Sequence, residues 1–557
     1  MLIALALAAT ALLPGAAPGS APNAKTLWEA WPSRRFVTTP APCLRHAVLV
    51  EKLRALEERH RGRLALEEVG RSVEGRAIHL LTLGHGPRRI LLWSQMHGDE
   101  PSATPALLDV SDTLLSGGRE WETVLDNLTL LMVPMLNPDG AERYARRNAQ
   151  AIDVNRDALA LSTPEGRLLK TLRDRFTPEL GFNLHDQDRR TTVGDTSVLA
   201  TIALLAVAGD AQGTLTPGRE RAKRVSAAVA RTLAPFVPGG IARYDEDWSP
   251  RAFGDNLTAW GTPVVLIENG GAPPGLALTD LTRLDYVALL TVLYGLARDD
   301  LANEDPAGYE GLKRNSEGNW VDTLVSGGCI WQPPAPEPYR ADLGYDLLDD
   351  DPAVAVCADP GPTGRSRIRE IGDGRFLGAT RRVDAADLLL VPALAASVRG
   401  LAARDWMTAE ALGAMARLGV ARLLWHVAPL ERTEAMTTAA RLSAPGRPMI
   451  EIVGLEIPPC LLEITRPPVP PKGPGLDAAL DALTAGSWRT RAAARPLASL
   501  LGELAGLGMG AGPAPLLAPD AGASLLLLRP RAADALEAGS LDLEAVIVDG
   551  RVPSGAR

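Results

Sequence analysis

The feature that most constrains this chain is the pair His97 and Glu100, which stands directly after the apolar run 90–93. A histidine and a carboxylate three positions apart can both turn toward one ion where a strand ends and the chain curls. Zinc takes imidazole nitrogen and carboxylate oxygen as ligands, and a catalytic zinc keeps one position open for water. The pair alone is a weak signal, so its value depends on the residues that follow.

Three further polar residues stand in the same relation to apolar runs. Asn137, His185 and Glu268 each lie at, or just past, the end of a short apolar segment. In open α/β sheets, sites form beyond the carboxyl ends of the strands. Four such ends in one chain therefore predict a single cleft that all four segments line.

The first half of the chain alternates between strand-like and helix-like segments, as an α/β domain requires. Helices are predicted over 101–115, 219–233 and 279–297, and the sequence at 162–165 is a capping-box start for a helix that runs to about Arg175. The pattern indicates a mostly parallel α/β fold.

Taken together, these motifs resemble the zinc carboxypeptidases of the carboxypeptidase A-like (funnelin) type. The shared pattern is His-x-x-Glu at 97–100, Asn-Pro-Asp-Gly at 137–140, an Asn-Arg pair, a further histidine and a late glutamate. The segment 70–76, GRSVEGR, also resembles the entry to that domain. The resemblance extends over residues 26–300 and implies a mixed, mostly parallel eight-stranded sheet with helices on both faces.

The resemblance also implies a catalytic site. His97, Glu100 and His185 would hold one zinc ion, which lowers the pKa of bound water to near 7 and polarises the scissile carbonyl. Glu268 would be the general base that takes the proton of that water and passes it to the leaving amine. Arg146 is expected to stabilise the oxyanion, with Arg147, its neighbour in the sequence, left open as an alternative.

Substrate-binding residues follow from the same resemblance. Asn155 and Arg156 would hold the terminal carboxylate of a peptide, because a guanidinium fork matches a carboxylate; a surface turn with an ion pair is the competing interpretation. Tyr244 stands about where the family has a mobile tyrosine. Asp255 either lies in the pocket for the last side chain, where it would favour a basic residue, or caps the helical turn 256–260.

Composition limits the classes of function. The chain has 557 residues, which exceeds one ordinary domain, and its 46% hydrophobic and 22% charged residues are typical of a globular protein. The net charge of -9 comes without a Lys/Arg block, so no nucleic-acid partner is expected. The four cysteines have no Cys-x-x-Cys spacing, which argues against a thiolate zinc site and leaves one or two disulfides possible.

The N-terminus predicts export. Residues 2–13 are apolar and residues 14–21 are mostly small, so residues 1–21 are interpreted as a signal peptide. The apolar segment is too short for a comfortable transmembrane helix. We expect an exported protein, periplasmic or extracellular, with no stable membrane span.

The second half differs in character. Residues 301–351 are turn-rich and proline-rich and are interpreted as a linker or packing segment, and residues 352–557 as a separate α+β domain. The segment 383–392 and the C-terminal strand-like runs weakly resemble the small sheet of amidohydrolases. The His-x-His metal pair of those enzymes is absent from this sequence, so the second domain is predicted to be degenerate and non-catalytic.

The expected function is that of an exported zinc metallocarboxypeptidase that removes the last amino acid from peptides, whether protein-derived or from the cell wall. The alternative is an N-acyl amino-acid amidohydrolase of the aspartoacylase or desuccinylase kind, which shares the His-x-x-Glu motif, the Asn-Arg pair and the late glutamate. A non-enzymatic binding protein is disfavoured, because every expected catalytic residue is present.

Overall fold

The computed structural model describes residues 23–244, 248–330, 339–347, 366–385, 389–392, 409, 422–427, 432–445, 447, 449–454, 495–496, 525–530 and 540–547. The predicted signal peptide, residues 1–21, lies outside these ranges. The chain divides into two compact units, of which the first ends at Asn319 and the second begins at Trp320.

The first unit is built on one eight-stranded sheet, in the order β1-β2-β4-β3-β5-β9-β7-β8. Its strands are β1 (Leu64–Arg71), β2 (Ala77–Leu83), β3 (Arg88–Ser94), β4 (Leu128–Val133), β5 (Leu180–Asp186), β7 (Ile202–Ala206), β8 (Ile241–Arg243) and β9 (Val264–Asn269). A separate two-stranded pair joins β6 (Thr192–Val193) to β10 (Asn315–Ser316). The run β4-β3-β5-β9 and the pair β7-β8 are parallel, while the other neighbours are antiparallel. The predicted mixed, mostly parallel sheet is confirmed.

Ten α-helices are described in this unit. They are α1 (Ala24–Arg34), α2 (His46–Arg59), α3 (Ala103–Ser116), α4 (Arg119–Asn127), α5 (Pro138–Arg143), α6 (Pro164–Phe176), α7 (Pro217–Leu233), α8 (Phe253–Ala259), α9 (Thr279–Ala297) and α10 (Ala307–Glu310), with 3-10 turns at Ala41–Cys43, Val154–Arg156 and Asp300–Asn303. The four predicted helices correspond to α3, α6, α7 and α9. The cap of α6 is Thr163, whose hydroxyl accepts the N–H of Gly166, so the predicted capping box of Ser162 and Glu165 is not the one that forms.

Helices cover both faces of the sheet, as the resemblance implied. One core packs α1, α2, α3, α4, α7 and α9 against residues such as Phe182. The other core packs α6 and α8 against residues such as Trp93 and Leu266. Successive side chains of a strand point to opposite faces, so Asn183 and His185 of β5 share the α6/α8 face, opposite Phe182.

Two further features of this unit bear on the sequence analysis. Cys43 is disulfide-bonded, so one of the disulfides that the sequence left possible is present. Across the described ranges, each helix is either too short or too polar to cross a bilayer.

The second unit contains an eight-stranded sheet in the order β13-β12-β11-β15-β19-β20-β18, with β14 paired to β11. Its strands are β11 (Trp320–Ile330), β12 (Tyr339–Leu347), β13 (Ser366–Gly372), β14 (Gly378–Asp384), β15 (Leu389–Pro392), β18 (Arg495–Pro496), β19 (Leu525–Pro530) and β20 (Ser540–Ile547). The strands β16 (Arg422–Val427) and β17 (Met449–Gly454) form a parallel pair, and one helix, α11 (Arg432–Leu442), is described beside them in the sequence.

The interpretation of residues 301–351 as a linker does not hold in the described part of that segment. Instead, β11 and β12 form an antiparallel pair that belongs to the second sheet, while β10 still belongs to the first unit. The turn-rich and proline-rich sequence of the segment suggested a linker, yet Gly327 and Gly328 lie within β11, where the pairing with β12 shifts register. Long-range pairing overrides the local turn signal here.

Candidate active site

The three predicted metal ligands converge at the carboxyl ends of two neighbouring strands. Glu100 Oε1 lies 2.7 Å from His97 Nδ1, and Glu100 Oε2 lies 2.5 Å from His185 Nδ1. The two imidazole rings are 4.8 Å apart, and all three side chains are buried. Two imidazole nitrogens and a carboxylate that face one another are the donor set that zinc prefers, so the residues fit a zinc ion.

Glu100 and the two histidines shift one another's pKa values. Burial raises the pKa of Glu100, but His97 and His185 outweigh it and hold the pKa of Glu100 well below its usual value. Burial lowers the pKa of His185, and its charged neighbour Glu100 does not offset that effect fully. Burial lowers the pKa of His97, but Glu100 and Asp153 outweigh it and raise that pKa. The surroundings therefore favour an ionised Glu100 and a neutral His185, which are the forms in which these two residues bind a metal.

Asp153 is a site residue that the sequence analysis considered only as an ion-pair partner of Arg156. Its Oδ1 lies 3.0 Å from His97 Nε2, and its Oδ2 accepts a hydrogen bond from Arg146 Nε at 3.0 Å. Burial raises the pKa of Asp153, but His97 and Arg146 together lower it well below its usual value. A carboxylate on the far nitrogen of a ligand histidine fixes the ring orientation and leaves Nδ1 free to face the metal.

The two candidate arginines, Arg146 and Arg147, make different contacts. Arg146 Nη1 lies 3.1 Å from both Glu100 Oε1 and His97 Nδ1, so its guanidinium borders the metal cluster. Arg147 Nη1 instead bonds the carbonyl of Ala151 at an exposed position. Arg146 is therefore the arginine placed to stabilise negative charge that develops beside this cluster.

Glu268 faces the cluster from the next strand. His185 of β5 and Glu268 of β9 are direct partners in the parallel register, which puts both side chains on the same face. Glu268 is buried, and burial, followed by the charges of Glu100 and Asp186, raises its pKa well above the usual value. A carboxyl group with a raised pKa beside a metal cluster is suited to proton transfer.

Tyr244 is half-buried and directly follows β8. The charged residues of the candidate active site shift the pKa of its hydroxyl. The charge of Glu268 is the largest cause that raises its pKa, followed by burial, while Arg156 acts in the opposite direction. The charges of Glu268 and Arg156 thus both act on the Tyr244 hydroxyl.

The Asn-Arg pair lies in the short 3-10 turn after Asp153. Asn155 Oδ1 accepts the N–H of Phe253 at 2.9 Å, which ties this turn to the start of α8. Arg156 is exposed, and its Nη1 donates to the carbonyl of Asn155. No carboxylate ion pair is described for Arg156 within the residues that the structure covers, so its guanidinium is not committed to a surface salt bridge.

The cap interpretation of Asp255 is wrong. Helix α8 begins three residues before the predicted turn, with Ala252 at its N-cap position, so Asp255 lies inside the first helical turn. Its Oδ1 accepts the N–H of Ser249 at 2.9 Å and so fastens the preceding loop. Burial raises the pKa of Asp255 to about 6.

The Asn137–Gly140 turn holds the ligand loop in place, a role that sequence reasoning did not assign. Asn137 Oδ1 accepts the N–H of Gly140, and its Nδ2 donates to the carbonyl of Met96, the residue before the first ligand. A Cβ atom on Gly98 would lie 1.9 Å from the carbonyl carbon of Gly140, so the two loops touch backbone to backbone. Only glycine permits this approach.

Asp139 anchors the same turn to the GRSVEGR segment. Its carboxylate is completely buried and accepts bonds from Ser72 Oγ at 2.8 Å, from the N–H of Glu74 at 3.0 Å and from Arg76 Nη1 at 2.6 Å. The Asn137–Gly140 turn and the GRSVEGR segment, which both contributed to the resemblance, are therefore one structural unit. Their joint presence in the sequence reflects direct contact in the fold.

Known proteins share this part of the chain. Residues 49–167 match the family model described as zinc carboxypeptidase. Carboxypeptidase 2 of Trichophyton rubrum is 30% identical over 101 residues, which is 18% of this chain and 19% of that protein. Carboxypeptidase E of Caenorhabditis elegans is 31% identical over 134 residues, 20% of this chain and 28% of that protein.

This chain carries a zinc carboxypeptidase-like domain. It spans about a fifth of the length of the curated relatives that it matches first. Among solved structures, a metallo-carboxypeptidase from Pseudomonas aeruginosa is similar at 23% identity with a TM-score of 0.36, over 45% of this chain and 69% of that one. Carboxypeptidase A from Helicoverpa armigera is similar at 16% identity with a TM-score of 0.38, over 50% of this chain and 80% of that one.

The matched segment of the zinc carboxypeptidase-like domain does not contain the whole site. Two residues of the cleft, His185 and Glu268, lie beyond residue 167. They join the others through the parallel register of β3, β5 and β9. The parallel register thus completes the cleft with residues from outside the matched segment.

Proposed function

We propose that this protein is an exported zinc metallocarboxypeptidase that hydrolyses the last peptide bond of a peptide and releases its C-terminal amino acid. His97, Glu100 and His185 would hold one zinc ion. When bound, zinc lowers the pKa of water and polarises the scissile carbonyl. The observation that carries the proposal is the convergence of these three ligands with Glu268 in a single buried cluster.

Three other residues would transfer the proton, stabilise the oxyanion and orient the site. Glu268 takes the proton of the attacking water and returns it to the leaving amine; burial and nearby carboxylates favour its proton-accepting role. Arg146 stands beside the cluster, where its guanidinium can stabilise the developing oxyanion. Asp153 keeps His97 and Arg146 in their orientations.

Asn155 and Arg156 would restrict cleavage to the C-terminal end of the substrate peptide. Arg156 offers an exposed guanidinium, and its positive charge acts on both Tyr244 and Asp255. A guanidinium binds a terminal carboxylate through paired hydrogen bonds. Tyr244 would close over the bound residue. A peptide with an amidated C-terminus lacks this anchor and should be a poor substrate.

Export is supported by two observations. The N-terminal segment has the composition of a signal peptide, and Cys43 is disulfide-bonded. Disulfides persist in oxidising compartments such as the periplasm and the extracellular space. Cell fractionation of the expressed full chain tests this part, since a protein that remains in the cytoplasm with its N-terminus uncleaved would contradict it.

The catalytic part is tested with a pool of peptides that differ only in the last residue, with free and amidated C-termini, beside N-acetyl and N-succinyl amino acids. The zinc-loaded protein should release one free amino acid from free C-termini and little from amidated ones. Release only from N-acyl amino acids would support the amidohydrolase alternative. No release from any of these compounds would refute the proposal.

Glu268→Gln is the matched variant. It keeps the size and shape of the side chain but removes the base, so kcat should fall by roughly 10²–10⁴ while one zinc per chain is retained. Glu310→Gln, an exposed carboxylate in α10 that pairs with Lys223, is the control and should retain wild-type activity. Equal loss in both variants would mean that Glu268 acts only through charge or stability.

A further inference from the structure

A buried amide lies below the proposed active site with both of its polar atoms unpaired. Asn183 is 1% exposed, and neither Oδ1 nor Nδ2 has a hydrogen-bond partner among the described residues. A buried polar group without a partner destabilises the fold, so native proteins rarely retain one without a use. Neither the metal cluster nor the proposed chemistry employs this side chain.

The position of Asn183 relates it directly to the cleft. It precedes His185 by two residues in β5, so the two side chains point to the same face about 6.6 Å apart along the strand. Its partner in β9 is Leu266, as the partner of His185 is Glu268. The Asn183 amide thus lies one pleat deeper in the sheet than the ligand His185 and the proposed base.

The wall opposite the amide is the first turn of α8. A Cβ atom on Gly254 would lie 3.8 Å from Asn183 Nδ2 and 3.5 Å from the methyl groups of Val207, so at this position α8 places no side chain over the amide. Phe253, the preceding residue, donates its N–H to Asn155. The amide is therefore near the residues proposed to hold the terminal carboxylate.

We propose that Asn183 forms the floor of the pocket for the C-terminal side chain and selects side chains that end in a carboxamide, those of glutamine and asparagine. This inference rests on the proposed carboxypeptidase function. A carboxamide offers one acceptor and one donor side by side, which pair with the donor and acceptor of the Asn183 amide. An aliphatic side chain would leave both atoms unpaired in a site from which it has expelled water.

The surroundings favour a neutral partner over a charged one. Leu205, Val207 and Leu266 belong to the apolar core on this face of the sheet. An ammonium or carboxylate placed among them would need a full counter-charge, which an amide does not supply. Asp255 has one carboxylate oxygen committed to the N–H of Ser249.

The test compares kcat/KM for blocked tripeptides that end in Gln, Met, Lys or Glu, cleaved by the zinc-loaded full chain. Gln and Met have similar lengths and differ in the amide, so the wild type should prefer Gln by about tenfold or more. Asn183→Leu should abolish or reverse that preference. Asn183→Asp removes the donor and adds charge, so it should shift the preference from Gln toward Lys.

Thermal unfolding separates a binding role from a structural one. Because the Asn183 amide is unpaired, Asn183→Leu should leave Tm unchanged or raise it. Asn256→Leu is the control, since that amide donates to the carbonyls of Pro250 and Ala252 and its loss should lower Tm.

The outcomes distinguish the two proposals. If the wild type cleaves none of the four peptides, the carboxypeptidase function fails. If it cleaves them with a Gln/Met ratio near one, or with a ratio that Asn183→Leu and Asn183→Asp leave unchanged, only the specificity inference is overturned. A wild-type preference for Lys or Glu, or a lowered Tm in Asn183→Leu with unchanged ratios, overturns it as well.

Discussion

Replacing Gly98 by alanine tests whether the ligand loop is held by direct contact with the Asn137–Gly140 turn. The added Cβ would lie 1.9 Å from the carbonyl carbon of Gly140 and 2.3 Å from the nitrogen of Ala141, whereas ordinary contact begins at 3.4 Å. Both atoms belong to the backbone and cannot rotate away. The two loops must therefore separate by about 1.5 Å, the difference between 3.4 and 1.9 Å.

A displacement of this size acts on the metal site at once, because Gly98 stands between the ligands His97 and Glu100. Metal–ligand distances tolerate deviations of about 0.2 Å. A misplacement of about 1 Å in catalytic geometry can reduce the rate by 10²-fold. We expect Gly98→Ala to lower kcat/KM by about 10²-fold or more and to weaken zinc binding, with a loss of about 1–3 kcal/mol in stability from overpacking.

The assay combines zinc affinity by chelator competition, kcat/KM on the best peptide of the pool, and thermal unfolding. Gly308→Ala is the matched control: its Cβ would lie 3.3 Å from the Ala227 side chain, in helix α10 far along the chain from the ligands. It should behave as the wild type in the first two measurements. A Gly98→Ala protein with wild-type zinc affinity and kcat/KM would refute the contact as the positioning device.

Three other substitutions test separate parts of the argument. Asp153→Asn keeps the shape of the side chain but removes the charge that faces His97, so zinc affinity should fall by about 10–100-fold in chelator competition; unchanged affinity would contradict the orienting role. Asp139→Ala removes the buried acceptor of Ser72, of the N–H of Glu74 and of Arg76, which keeps Glu74 as an ion-pair partner, and urea unfolding should show a loss of about 3 kcal/mol, whereas a loss below about 1 kcal/mol would mean that the anchor is dispensable. Burial raises the pKa of Asp285 from 3.8 to about 7, so the folded state keeps a proton that the unfolded state releases, and this group's contribution to stability is lost as pH rises between about 4 and 7. In metal-free protein, Asp285→Asn should remove that part of the pH dependence, at most about 4 kcal/mol, and an unchanged slope of unfolding free energy against pH would refute the assignment.

Two of the ligands and the proposed base could be predicted from the sequence because each lies at, or just past, a strand end. His97, His185 and Glu268 all follow short apolar runs, and parallel strands bring such ends to one edge of the sheet. The sheet type followed from the same alternation of elements. What the sequence predicts well is thus the part of the site that secondary structure alone positions.

Contacts between side chains that are far apart in the sequence could not be predicted in the same way. Asp153 contacts His97 across 56 residues of chain, and no spacing rule relates the two positions. The position of Asp255 in α8 depended on a helix boundary, which local signals locate only within a few residues. The linker interpretation of 301–351 failed because pairing between β11 and β12 is a long-range contact.

The role of Asn183 could be predicted from the sequence only in part. A polar residue inside the run Leu180–Leu184 was visible in the sequence, and strand alternation puts it on the same face as His185. That much predicts a polar group at the base of the cleft. Whether its amide is satisfied depends on which side chains α8 and the neighbouring strands present to it, and Gly254 and Val207 present no hydrogen-bonding side chain. The unpaired amide thus arises from tertiary packing of residues that are individually unremarkable, which is why substrate preference is the property of this site that required the structure.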